Sequence, residues 1–171
     1  ARYIADYCPN VGSVGFVPLS GSYVTDIVPY RQRKYDLVFT GSYNNPEAIY
    51  HDKIATMPDG DRRMADELIS IMKNRPELMM QDALQILMDS NGIDLNGRGF
   101  HVKMLRLINV EAYMRAWIRE QVIRTIVDAG IKINIFGGGW DSFECGHPEN
   151  IICMDGYGEA SLRAVADSKI A

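Results

Sequence analysis

Cysteine is scarce: Cys8, Cys145 and Cys153 are the only three in 171 residues. An odd number without metal-type spacing offers no disulfide framework and points to a reduced, cytoplasmic setting. Histidine is equally thin. His51, His101 and His147 are far apart, with no helical pair and no flanking ligand, so no metal centre is expected. Cys145-Gly146-His147 brings two reactive side chains close, but that spacing matches neither a ligand pair nor a nucleophile and its base. His147 therefore reads as a loop residue. No apolar run approaches the ~20 residues of a membrane span, and no secretory leader is visible. Positive charge is in deficit, with 18 Lys and Arg against 22 Asp and Glu and a net charge of −4. Broad nucleic-acid binding needs a basic face and is not expected. The one dense basic cluster, Arg31-Gln32-Arg33-Lys34, reads as a solvated linker. No glycine turn is followed by Gly-Lys-Ser/Thr, which excludes a phosphate-binding P-loop.

An apolar fraction of 47% is ample for a core, and nine methionines suit irregular gaps within it. The most informative stretch is Ile133-Asn134-Ile135-Phe136-Gly137-Gly138-Gly139-Trp140. A β-branched and aromatic run reads as a buried strand, and its glycines allow a sharp turn and close backbone approach. Tyr35-Asp36-Leu37-Val38-Phe39-Thr40-Gly41-Ser42-Tyr43 has the same form. Residues 36–40, 132–136 and 151–154 are expected as neighbouring parallel strands, and Lys169-Ile170-Ala171 as the start of another. Between the first two, residues 61–129 read as helical. Met64, Leu68, Ile71 and Met72 form one stripe, and Phe100, Met104, Leu107 and Ile108 another. Val110, Met114, Trp117, Ile118, Val122 and Ile126 form a third. Pro76 suits a helix's first turn, and Asn91-Gly92 a helix stop. Residues 98–128 read as one long helix or as two broken near Asn109. A helix is expected over 159–167, and Val14-Gly15-Phe16-Val17 suits a short strand. Strands alternating with helices imply an α/β fold with a parallel sheet. Gly137, Gly139 and Ser142 approximate a dinucleotide fingerprint, but residues 141–150 contain Gly146 and Pro148 and are too few for the required helix. NAD or FAD is not expected. The turns Gly41-Ser42, Gly137 to Trp140 and Asp155 to Gly158 instead suggest a site at the carboxyl edge of the sheet. Backbone N–H groups there would suit an anion such as a diphosphate, with Trp140 and Tyr157 as flat surfaces for a base or sugar. Packing against the strand end accounts for Trp140 equally well.

At these residues the chain resembles a known family. Phe16-Val17-Pro18-x-x-Gly21, Tyr35 to Tyr43, Ile133 to Trp140 and Met154-Asp155-Gly156-Tyr157, followed by a helix and Lys169-Ile170-Ala171, look like the second lobe of a GT-B glycosyltransferase. The nearest branch is the CgeB-like one, named for spore maturation proteins of bacteria. The resemblance implies a Rossmann-like lobe that holds a nucleotide-sugar donor, here with an enlarged helical insertion. Residues 1–34 would be the end of an N-terminal lobe and a linker, and 35–171 part of the C-terminal lobe. Ala1 and Ala171 would then bound an excised piece, lacking a later segment that grips ribose and phosphate. By position, Gly41, Ser42 and Tyr43 would face the diphosphate. Gly137, Gly138, Gly139 and Trp140 would line the same edge, and Met154, Gly156 and Tyr157 would meet the base. No catalytic residue is assigned, since in this architecture the general base comes from the other lobe. No cofactor beyond the donor is implied, and the acceptor is open. A short sheet ending near Ala171 would leave an edge able to pair with a second copy. The alternative class is a non-catalytic α/β module that binds a nucleotide or a protein.

Overall fold

Alternation along the strands builds the sheet. In β1 (Tyr35–Thr40) Val38 points to one face while Leu37 and Phe39 point to the other. In β2 (Ile133–Phe136) Ile133 and Ile135 join the Leu37 face and Phe136 joins Val38. The computed structural model describes residues 28–94, 97–156 and 158–171. Within them β3 (Ile151–Met154) and β4 (Ser168–Ile170) complete a four-stranded sheet in the order β3-β2-β1-β4. Every pairing is parallel, with Thr40 opposite Phe136, Phe136 opposite Met154, and Leu37 opposite Ile170. The expected three neighbouring strands are therefore present, and the expected fourth begins at Ser168. The strand expected at residues 14–17 lies outside the described residues.

The helices are α1 (Pro46–Ile49, continued by a π turn over Tyr50–Ile54), α2 (Asp59–Asn74), α3 (Met80–Ser90), α4 (Gly97–Arg106), α5 (Ile108–Asp128) and α6 (Glu159–Ala166). They are divided between two compact units. One spans Pro46–Ile118 and is helical; the other joins residues 28–45 to Arg119–Ala171 and carries the sheet. This division falls inside the stretch expected as a single lobe, and it makes the helical insertion a body of its own. Its core gathers Leu68 and Met72 of α2, Leu84 and Met88 of α3, Phe100 of α4, and Val110 and Met114 of α5.

In the sheet unit, Ile123 and Val127 of α5 cover the Leu37 face together with Trp140 and Phe143. Ala164 of α6 covers the Val38 face. Parallel sheets bury both faces, and here both are covered at the central β1–β2 pair, while Ile152 and Cys153 of β3 and Ile170 of β4 stay exposed. Asn150 is buried just before β3, where its side-chain amide donates to Val127 O at 2.9 Å and ties the end of α5 to the strand.

Of the two readings of residues 98–128, the structure has two helices, and the break at Leu107 falls two residues before Asn109, near where it was expected. Two local expectations are corrected. Pro76 lies in the connection before α3, which starts at Met80, so it is not a first-turn residue. Ile118 and Val122 are exposed, and Tyr113, Ile123 and Val127 are buried in their place. Each half of α5 serves a different core, so no single stripe runs its length. The stop at Asn91-Gly92 is where it was expected.

Candidate functional site

Because the strands are parallel and their carboxyl ends are in register, the turns that follow β1, β2 and β3 all leave from one edge. Two of these turns are locked together. Gly41 N–H donates to Phe136 O at 2.9 Å and Tyr43 N–H to Gly138 O at 2.9 Å, which extends the β1–β2 ladder beyond the strands. The indole N–H of Trp140 donates to Gly41 O at 2.7 Å. A Cβ on Gly137 would stand 2.3 Å from Gly41 O, and one on Gly139 (φ +87°) 2.7 Å from Tyr43 O. These glycines are required by backbone packing on backbone, which spacing alone does not reveal.

Trp140 is only 3% exposed, with Tyr43, Phe143 and Phe39 at ring distances of 5.2, 5.5 and 5.7 Å. Its ring and its donor are thus both engaged by the protein. At the third turn Gly156 packs on the first turn of α6, since a Cβ there would meet the Ala160 Cβ at 2.8 Å. Met154 lies partly buried against Val38, Phe136 and Ala164. Tyr157 lies outside the described residues. Ser42 is exposed beside Gly41, which is half-buried.

The strand order reverses at β1, with β2 and β3 on one side and β4 on the other. In open α/β sheets this switch point is where a crevice opens at the carboxyl edge. A cavity of about 310 Å³ lies beside β1, lined by Val38, Phe39, Thr40, Val165 and Ala171.

The side chains that frame the β1 turn come from α5, and sequence reasoning missed them. Tyr43 Oη donates to Glu120 Oε2 at 2.9 Å, and Arg124 donates to Glu120 Oε1 at 3.0 Å. Arg124 also reaches Glu144 O at 2.7 Å and lies over the Phe143 ring. Arg119 donates to Ser42 O at 2.8 Å and lies over the Phe39 ring at 5.8 Å. The Glu120–Arg124 pair was legible as an i,i+4 charge pair. The contacts to Ser42 and Tyr43 were not, because 77 residues separate the partners.

Burial, and then the bond to Glu120, push the Tyr43 phenol from 10.0 up to about 12. The folded value lies above the unfolded one, so protonated Tyr43 contributes stability in full below pH 10 and loses it as the pH climbs towards 12. Tyr43→Phe should therefore lower the denaturation midpoint by an amount that is constant below pH 10 and shrinks above it. Midpoints taken across that range, for both proteins, check this. A constant difference would remove Tyr43 as the titrating group.

Among the described residues no three His, Cys, Asp or Glu lie together in a way that would hold a metal ion. His147 pairs with Glu149 at 3.0 Å, both exposed, while Cys145 packs partly buried beside Phe143. No helix of the described residues is long and apolar enough to cross a membrane. The fold and the converging turns define the sheet unit as a Rossmann-like α/β domain. No protein-family model, curated protein or solved structure matches the chain.

Proposed function

We propose that the chain is the donor-binding part of a glycosyltransferase of the GT-B type, holding the diphosphate of a nucleotide sugar at the carboxyl edge of the sheet. The observation that supports this best is the meeting of the β1 and β2 turns beside the switch point, at the residues that carry the family resemblance. Transfer in such a site depends on positioning the donor and stabilising the departing diphosphate. Gly41 and Ser42 stand where that charge would develop, and the β3 turn, with Gly156, would meet the base. In this reading the acceptor and the general base come from elsewhere, since no nucleophile–base pair stands among the described residues of this edge.

The test is calorimetric titration of the chain with uridine and guanosine diphosphates, paired with a donor-hydrolysis screen. Binding of one diphosphate, together with hydrolysis of the matching nucleotide sugar once the acceptor lobe is present, is the expected result. Failure of every common nucleotide and nucleotide sugar to bind would overturn the proposal. A second reading, a non-catalytic α/β binding module, draws on the packing role of Gly137 and Gly139, which needs no ligand to explain it. It predicts binding without hydrolysis or transfer under any pairing.

A further inference from the structure

We infer that Arg119 is the cation of this edge, an anion-binding residue that holds a phosphate or diphosphate group over the β1 turn. Three observations converge on it. The first is its unsatisfied charge. Along α5 the other arginines are neutralised four residues back, Arg115 by Glu111 and Arg124 by Glu120. Arg119 has Arg115 and Ile123 at those positions, and no described carboxylate pairs with it.

The second observation is its posture. One guanidinium nitrogen is held by Ser42 O at 2.8 Å, and the carbon of the group rests over Phe39 and 3.7 Å from where a Gly41 Cβ would stand. A guanidinium fixed at one nitrogen keeps further donors in its planar fork, the geometry that suits a phosphate's paired oxygens. The third concerns the acceptors around it. The carbonyls of Phe136, Gly138, Gly41 and Ser42 each accept a bond from the protein, from Gly41, Tyr43, Trp140 and Arg119 respectively. Each of these four oxygens is thus already engaged by a protein donor, and Arg119 is half-buried beside them. Glu120, the neighbouring carboxylate, is engaged by Tyr43 and Arg124 and does not compete for Arg119.

This inference rests on the donor-binding reading only for the nucleoside part of the ligand, so inorganic diphosphate serves as one probe and uridine and guanosine diphosphates as the others. Calorimetry should show Arg119→Gln binding each probe roughly 10- to 100-fold more weakly, the range expected for one charge-assisted bond. Arg119→Lys should fall between, and Arg115→Gln, the same loss of charge on the same helix, should bind as the wild type does. Bound diphosphate should also shield Arg119 of the wild-type chain from phenylglyoxal, read by mass spectrometry, which needs no variant to fold. Equal affinity of Arg119→Gln and wild type, or modification of Arg119 unchanged by bound diphosphate, would overturn the assignment and leave nucleotide binding standing. Loss of inorganic diphosphate on substitution, with no nucleotide bound by wild type, would keep the anion site and sink the nucleotide-sugar reading. Absence of binding to any probe would sink both.

Discussion

Gly137→Ala will strongly destabilise the sheet unit. The new carbon would stand 2.3 Å from Gly41 O, 2.5 Å from Gly41 C and 2.9 Å from Ser42 N. All three are backbone atoms, so no rotamer change relieves the clash. The β1 and β2 turns must separate, and their separation breaks the Gly41–Phe136 and Tyr43–Gly138 bonds and pulls Gly41 O from the Trp140 indole. Overpacking alone costs about 1–3 kcal/mol, and each broken hydrogen bond adds about 1 kcal/mol. A total of about 4–6 kcal/mol is a large share of the roughly 5–15 kcal/mol that holds an ordinary domain together. Gly130→Ala separates clash from backbone conformation: Gly130 has φ +79° but open space around its would-be Cβ, so it should cost only about 1 kcal/mol. The chain has two tryptophans, and in a Trp117→Phe background Trp140 alone reports on this unit. Denaturant titration of Trp140 fluorescence should place Gly137→Ala well below Gly130→Ala. Equal midpoints for the two would show that the turns can part freely.

Phe100→Ala is the counterpart in the helical unit. Phe100 is fully buried, in a core shared with Leu68, Leu84, Met88, Leu107 and Met114. Truncating a buried phenylalanine costs about 3–5 kcal/mol, the sum of lost transfer energy and the cavity left behind. The upper part of that range is expected, because surrounding side chains from four helices restrict collapse into the space. Trp117 packs partly buried against the same core, so in a Trp140→Phe background it reports on this unit alone. The Trp117 transition should move to much lower denaturant. A shift under about 1.5 kcal/mol, the range of volume-conserving swaps, would mean that the core closes over the gap.

The helical boundaries show how far local pattern reaches. The stop at Asn91-Gly92 was legible because Gly92 takes φ +64°, a conformation that side chains resist. The break at Leu107 was harder to place, since Leu107 is itself fully buried and continues the apolar pattern of α4 and α5 alike. Ile118 and Val122 looked like core because a hydrophobic stripe carries no mark of which core it serves.

By itself the sequence determined the α/β class, the strands at 35–40, 133–136 and 151–154 within a residue or two, their parallel sense, and the turns at their carboxyl ends. Those features follow from periodicity and from turn chemistry, which act over a few residues. Tertiary structure alone decided that β4 lies on the far side of β1, creating the switch point. It also decided that Gly137 and Gly139 press on the β1 turn, and that Arg119 and Glu120 stand over it. Such choices depend on contacts between segments about a hundred residues apart in the chain (99 for Trp140 and Gly41). A glycine is the same letter whether it yields to a ligand or to a neighbouring backbone, and only the packed fold distinguishes the two.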